Sequence, residues 1–403
     1  MRILCAFGRH AYGDASRGES YEHANMLPAL QALGHETQLF DSFGRAQHRD
    51  FAALNRAFLE KVETFRPQAV FCVLMHYELW TETLDMARAG AALLNWGTDD
   101  SWKYGQFSRF IAPHVDLYVT TSRQALGKAR AAGLEGMFLS QWAASSHALA
   151  APLRASECRH RVTFVGAAYG NRRRWITELA ARGIEVECFG HGWPNGAVTA
   201  VDVARIARES AISLGFGDSG LQWEGLLPYR SRQIKARTFE IPGAGGFLLT
   251  EGAEELERYY VPGKEIEVFA SAADAAVKIR RYLSDPELRN RVAIAGHERT
   301  AREHTYEQRF APLLAQAEEI AGNRSAGWRA DRAVLNRLVE EHVPGAGLSM
   351  LRSLLVSLAV LLFGSRRGPR AARRLLFELS WRAAGARTYS HRGWPGRLFY
   401  RES

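Results

Sequence analysis

The feature that most constrains this chain is an alternation of short apolar runs with amphipathic stretches that starts at the first residues and starts again near residue 160. Arg2 to Phe7 reads as a strand, followed by a glycine-bearing loop (Gly8, Gly13, Gly18) and a helix near Tyr21 to Leu33. Gly34-His35 ends that helix. Glu36 to Phe40, Ala69 to Leu74, Ala91 to Trp96 and Leu117 to Thr121 read as later strands, with helices at Phe51 to Phe65 and Gln124 to Ala132. The second series has strands at Val162 to Val165, Val186 to Phe189, Ala211 to Leu214 and Phe247 to Thr250. Its helices lie at Arg173 to Arg182, Val201 to Glu209, Gln233 to Ile241 and Ala272 to Asp285. Continuously apolar strands separated by helices call for parallel sheets covered on both faces. The expected fold class is therefore α/β, with two facing, doubly wound Rossmann-like domains at 1–150 and 151–323. Ligands in such sheets sit beyond the carboxyl ends of the strands, which places the expected site in the cleft between the domains.

The chain has 403 residues, enough for two domains, and 47% of them are hydrophobic. Cys5, Cys72, Cys158 and Cys188 are widely spaced and form no Cys-x-x-Cys pair, which argues against a disulfide framework or a zinc site. The opening strand is too short for the apolar core of a signal peptide, so a cytoplasmic location is expected. The formal charge of +9 is uneven: Arg324 to Ser403 holds 15 Arg, no Lys and 5 acidic residues, a net of +10, which leaves −1 for the remaining 323 residues. The basic character belongs to a helical, Arg-rich extension at 324–403, and no nucleic-acid partner is expected for the body. Within the extension, Leu348 to Gly364 is the most apolar window, 17 residues long with Arg352 inside it. A spanning helix needs roughly 20 apolar residues. Ala371 to Ala383 then mixes an apolar face with Arg373, Arg374 and Arg382, the composition of an interfacial helix. Two readings stay open for 348–383: contact with a membrane surface, or a helical hairpin that packs on the body or dimerises.

Two stretches can carry chemistry. Gly166 to Gly170, followed by Asn171 and Arg172 to Arg174, leaves a strand and opens a helix, where backbone N–H groups and arginines suit a diphosphate. It is not the G-x-G-x-x-G dinucleotide fingerprint, and an ordinary strand–helix turn has the same look. The stretch from Gln233 to Glu251 is sharper. It reads as a helix carrying Lys235, Arg237 and Glu240, then Gly243, Gly245 and Gly246, then a strand. Lys235 and Arg237 can neutralise a departing diphosphate, Glu240 can accept from two ribose hydroxyls, and the glycines permit close backbone approach. The plainer reading is a surface helix with an i, i+3 Arg–Glu pair.

Here the sequence resembles the CgeB-like (spore-maturation type) glycosyltransferases. The resemblance rests on Lys235-x-Arg237-x-Phe239-Glu240, Gly245-Gly246-Phe247-Leu248-Leu249-Thr250, Tyr259-Tyr260-x-x-Gly263-Lys264-Glu265 and His304-Thr305-Tyr306-x-x-Arg309. Phe164-Val165-Gly166 and Phe189-Gly190-His191-Gly192-Trp193 fit the same family, and the N-terminal half matches more loosely through Trp96-Gly97-Thr98-Asp99-Asp100. It implies the two-Rossmann-domain (GT-B type) architecture, a nucleotide-sugar donor held mainly by the C-terminal domain, and no required metal or cofactor. The donor residues it points to are Gly166, Arg172, Lys235, Arg237, Glu240, Gly245 and Gly246. Related glycosyltransferases often carry two glutamates eight positions apart near this helix. Glu240 suits the second position, but the first falls on Arg232.

The acceptor side is expected from the N-terminal domain. Asp99 and Asp100 follow a strand directly and can supply a general base, or can equally cap the next helix. His76 is a second candidate and can equally be a hydrogen-bonded rim histidine. His10 and Asp14 are a third set, and His304 can hold the C-terminal helix on the body. The expected function is transfer of a sugar from a nucleotide-diphosphate sugar to a glycan, lipid-linked or protein acceptor. The alternative is a non-catalytic nucleotide-sugar-binding or scaffold protein on the same body.

Overall fold

The structure is a computed structural model; the described residues are 1–224, 227–324 and 327–403, with 219–231 described by backbone alone. The chain forms two compact units. The first gathers Met1–Ala15, Gly34–Ser140 and Leu313–Ser403, and the second Ser16–Leu33 and Gln141–Pro312.

The first unit is built on a six-stranded sheet. Its strands are β1 (Arg2–Phe7), β2 (Glu36–Asp41), β3 (Ala69–Cys72), β4 (Ala92–Trp96), β5 (Leu117–Thr120) and β6 (Met137–Leu139), in the order β2-β1-β3-β4-β5-β6. All neighbours are parallel. Every residue of β3 and β4 is buried, as a parallel sheet covered on both faces requires. Helix Phe51–Phe65 covers one face because Phe51, Leu54, Phe58 and Val62 recur at helical spacing. Asp50 starts that helix by accepting the Ala53 N–H at 2.8 Å.

The Arg-rich segment belongs to this unit, because Phe377, Tyr389 and Tyr400 enter the same core as Leu4, Val70 and Leu93. Helix Ala346–Ala384 is interrupted at Gly364, which has φ +76°. Eight residues of straight helix would separate Val360 and Gly368 by about 12 Å. Instead a Cβ on Gly368 would sit 2.6 Å from a Val360 methyl carbon, so the chain doubles back into a hairpin. Its inner side is closed by Ala359, Ala372, Leu376 and Phe399.

The second unit has strands β7 (His160–Val165), β8 (Glu187–Phe189), β9 (Ser210–Gly215), β12 (Leu248–Glu251) and β13 (Glu267–Phe269), in the parallel order β13-β12-β9-β7-β8. An antiparallel hairpin of β10 (Asp218–Glu224) and β11 (Leu227–Arg232) follows β9. Side chains alternate across the sheet: Leu249 packs with Ile212, Phe247 and Ile279 on one face, Leu248 with Phe239, Ile241 and Tyr260 on the other. Two doubly wound sheets and a C-terminal helical element are the expected fold class. In both sheets the strand order reverses beside the first strand, between β1 and β3 and between β7 and β9. Such a reversal opens a crevice at the carboxyl ends of the strands, where ligands bind in folds of this kind.

Candidate functional site

At the β7/β9 reversal, the loop after β7 is not the open phosphate cradle expected from sequence. Gly166 N–H donates to the Phe189 carbonyl at 2.8 Å and Ala168 N–H to the His191 carbonyl at 2.8 Å. The loop after β8 can lie this close because residue 190 is glycine. A Cβ there, at φ +122°, would be 2.5 Å from the Gly166 carbonyl oxygen. Arg172 is almost fully buried, and its guanidinium donates to the Ala167 carbonyl at 2.8 Å and the Tyr169 hydroxyl at 3.0 Å. Burial, and the nearby Arg237 charge, pull its pKa below the usual arginine value. Gly166 admits this side chain: its Cβ would be 3.2 Å from Arg172 Nη1. Arg173 bonds the Gly192 carbonyl and Arg174 pairs with Glu178, so the arginine run chiefly holds its own loop and helix.

The helix expected from Gln233 starts later, at Arg237–Gly243. The Gln233 N–H is committed to the Gly217 carbonyl at 2.9 Å at the foot of the hairpin, so it takes no part in the helix. Lys235 therefore precedes the helix rather than riding on it. Arg237 opens the helix and donates through Nε to the Val165 carbonyl, at the carboxyl end of β7, at 3.3 Å. It also forms an ion pair with Glu240 one turn on. Both line a cavity of about 600 Å³ together with Tyr21, Asn25, Ser145 and Arg205. The sequence singled out none of the last four for the site. Tyr21 hydroxyl lies 2.9 Å from the Tyr306 hydroxyl, and Ser145 Oγ donates to Asn25 Oδ1 at 2.6 Å. Contacts between segments more than a hundred residues apart leave no local signature.

Arg232, where a glutamate was to be sought, is tied to Glu251 at 3.0 Å. Glu251 is buried at the end of β12 and also accepts the Gly217 N–H at 3.0 Å. Burial raises its pKa, and the Arg232 charge opposes that rise. Gly245 and Gly246 precede β12 and so lie at the amino end of the strand, at the opposite end of the sheet from Gly166. Their Cβ atoms would meet the Ala150 carbonyl oxygen at 2.5 Å and the Ala207 carbonyl oxygen at 2.6 Å. These glycines serve a packed turn.

A sequence model of the glycosyl transferase-like family matches residues 172–315. Over that segment the chain is similar to that family. The match spans the helix after β7, the Lys235–Glu240 stretch and the segment through Tyr306. No curated protein sequence matches the chain. Among solved structures, sucrose-phosphate synthase from Thermosynechococcus elongatus is similar at TM-score 0.56 and 12% identity, over 78% of this chain and 99% of that one. Anabaena HepE in complex with UDP and glucose is similar at TM-score 0.52 and 10% identity, over 78% and 100%. A glycosyltransferase from Rickettsia africae reaches TM-score 0.50 at 10% identity, over 80% and 99%. The fold is the GT-B-like architecture of such enzymes.

His304 lies near the end of the matched segment. Its Nε2 donates to the Tyr259 carbonyl at 2.8 Å and its Nδ1 accepts from Arg309 at 3.0 Å, so the ring is neutral. Burial and Arg309 lower its pKa. The unfolded chain takes up this proton first, so its contribution to stability is complete above about pH 6.5 and declines as the pH falls below it. Urea titrations at pH 7.5 and 5.5 are expected to show a smaller acid-induced loss in His304→Gln than in the wild type; equal losses would remove His304 from the acid response.

In the first unit, Asp100 is 2% exposed and accepts from Ser108 Oγ at 2.5 Å and the Tyr118 hydroxyl at 3.2 Å. Burial raises its pKa. It lies under Gly97, whose Cβ would be 2.4 Å from Oδ2, so it anchors the strand end. Asp99 is one-third exposed, with Lys103 Nζ at 3.9 Å. His76 follows β3 and packs against Tyr77 and Phe377 at ring separations of 6.1 Å each. His10 and Asp14 lie in the loop after β1.

Proposed function

We propose that the protein transfers a glycosyl group from a nucleoside diphosphate sugar to an acceptor hydroxyl. The observation that carries this reading is Arg237, hydrogen-bonded at the carboxyl end of β7 beside the strand-order reversal, with Glu240 next to it on the wall of the cavity. In the reaction, a bond forms between the anomeric carbon and the acceptor oxygen as the bond to the diphosphate oxygen breaks. Negative charge grows on the leaving diphosphate, where Lys235 and Arg237 stabilise it, with Arg172 adding positive field from within the loop. Glu240 accepts from the ribose hydroxyls. On the acceptor side, Asp99 is the partly exposed carboxylate suited to take the hydroxyl proton, Asp100 positions its helix, and His76 marks the neighbouring loop.

UDP is the first nucleotide to try, since the similar Anabaena structure holds it. Incubating the full chain with a panel of UDP-, GDP- and TDP-sugars and mixed glycan acceptors is expected to release one nucleoside diphosphate. Release from none, with no binding of any nucleotide, would end the proposal. The Arg232–Glu251 pair favours a second reading, binding without transfer. Saturable nucleotide-sugar binding with no transferred sugar would select it.

We further propose that the C-terminal hairpin rests on the cytoplasmic face of a membrane, which suits a lipid-linked or polysaccharide acceptor. Its apolar window is almost entirely unburied, with Leu361 82% and Leu362 76% exposed, and Arg366, Arg367 and Arg370 are exposed beyond the turn. Near an anionic surface each such arginine adds about 1 kcal/mol. Deleting the segment would strip Tyr389 and Tyr400 from the first unit's core, so point changes are the better test. Wild-type protein is expected to sediment with phosphatidylglycerol vesicles and Leu361→Glu/Leu362→Glu to stay in solution. Equal sedimentation would contradict the assignment.

A further inference from the structure

The first unit has its own strand-order reversal, between β1 and β3, and the loops there collect cations. Arg45 follows β2, His76 follows β3 and Lys103 follows β4, while the returning arm of the C-terminal hairpin adds Arg373. We infer that Arg45, Lys103 and Arg373 around His76 form a binding subsite for a phosphate group carried by the acceptor.

Four observations support it. Arg45 Nε and Arg373 Nε are both buried with no hydrogen-bond partner among the described residues. An unmet buried donor costs about 1–3 kcal/mol, and more when charged. Arg45 is otherwise held by the Ser42 carbonyl at 2.6 Å and by the rings of Phe51 and Tyr400 at 4.9 and 5.3 Å, and Arg373 reaches the Tyr77 hydroxyl. Among the described residues neither forms an ion pair within 4 Å. The nearby carboxylates offset the cluster's charge from a distance, Glu78 and Asp41 facing Arg45 and Asp100 facing Lys103, but they leave the two guanidinium donors unpaired. Glu78 is buried and spends its two oxygens on the Met75 and His76 N–H groups at 2.5 and 2.7 Å, while Asp99 stands 3.9 Å from Lys103. Asp41 accepts the Arg9 and Phe43 N–H groups. Finally, burial and the charges of Lys103, Arg373, Arg45 and Arg374 hold the His76 pKa well below its usual value, so the ring is neutral and has one N–H to donate to an anion.

Cations from three separate elements suit an anion with oxygens on several sides, and phosphate gives each guanidinium and ammonium a charge-assisted acceptor. The crevice at a strand-order reversal is where such a ligand binds in a doubly wound sheet. Arg373 lies on the hairpin assigned above to the membrane surface, which connects the subsite to a phosphate borne on a lipid. Its role in presenting an acceptor rests on the transferase reading; phosphate binding itself does not.

The test is calorimetric titration of the full-length protein with inorganic phosphate and with farnesyl phosphate in detergent, alongside UDP. Wild type is expected to bind both phosphates, and Arg373→Gln and Lys103→Gln to lose at least ten-fold in affinity for each while binding UDP unchanged. Tighter binding of farnesyl phosphate assigns the group to a lipid-linked acceptor, and equal binding to a soluble phosphorylated one. Thermal melts of both variants report folding, and two independent positions keep the outcome readable. No phosphate binding by wild type, or wild-type affinity in both folded variants, overturns the subsite. Phosphate binding without UDP binding would instead strike the donor reading and leave the subsite standing.

Discussion

Lys235→Ala is expected to lower kcat/KM for the nucleotide-sugar donor by about a hundred-fold or more, with the fold intact. Removing one positioned group that stabilises a developing anion costs on the order of 10²–10³ in rate. Lys235 lies before the helix and outside the buried core, so its loss falls on the departing diphosphate rather than on packing. Glu240→Ala is expected to raise KM for the donor as well, because the ribose hydroxyls lose their acceptor and Arg237 loses its partner. Arg174→Ala is the matched control: that residue pairs with Glu178 on an exposed helix face, and wild-type turnover is expected. Measuring nucleoside diphosphate release against donor concentration separates the three. Wild-type kcat/KM in Lys235→Ala would remove that residue from the donor site.

The largest stability effect is expected at Arg289. It is fully buried, has no carboxylate partner among the described residues, and donates to the carbonyls of Ala211 at 2.8 Å, Leu153 at 2.7 Å and Ser210 at 2.9 Å. It thereby ties the segment before β7 to β9. Arg289→Met keeps most of the volume and leaves three carbonyls without that donor. With about 1–3 kcal/mol for each unmet buried group, the variant is expected to lose about 3 kcal/mol or more. Urea unfolding reads this directly, and a loss below about 1 kcal/mol would mean that the carbonyls find other donors.

How much of this was legible depended on whether the signal was local. The strand Arg2 to Phe7 and the helix Phe51 to Phe65 were readable to the residue, since an apolar run and a 3.6-residue period each lie within one segment. Strands β6 and β13 are three residues long and carry no usable period. The β10–β11 hairpin went unread, and with it the delayed start of the helix at Arg237. Lys235, Arg237 and Glu240 were visible as a compact motif. Tyr21, Asn25, Ser145 and Arg205 were not, because only the folded topology brings them to the site. Gly245 and Gly246 show the opposite error: a glycine pair suggests close approach, but sequence cannot say whether ligand or backbone approaches. Here it is the Ala150 and Ala207 carbonyls. For the basic tail the sequence leaves open a hairpin packed on the body, and the aromatics Tyr389 and Tyr400 do complete the first unit's core.

The most direct test of the central claim is equilibrium binding of UDP, GDP and TDP to the wild-type protein and to Lys235→Ala and Glu240→Ala. Wild type is expected to bind one of them saturably, and both variants to lose at least ten-fold in affinity with unchanged melting temperatures. Binding of none of the three, or equal binding by all three proteins, would contradict the central claim.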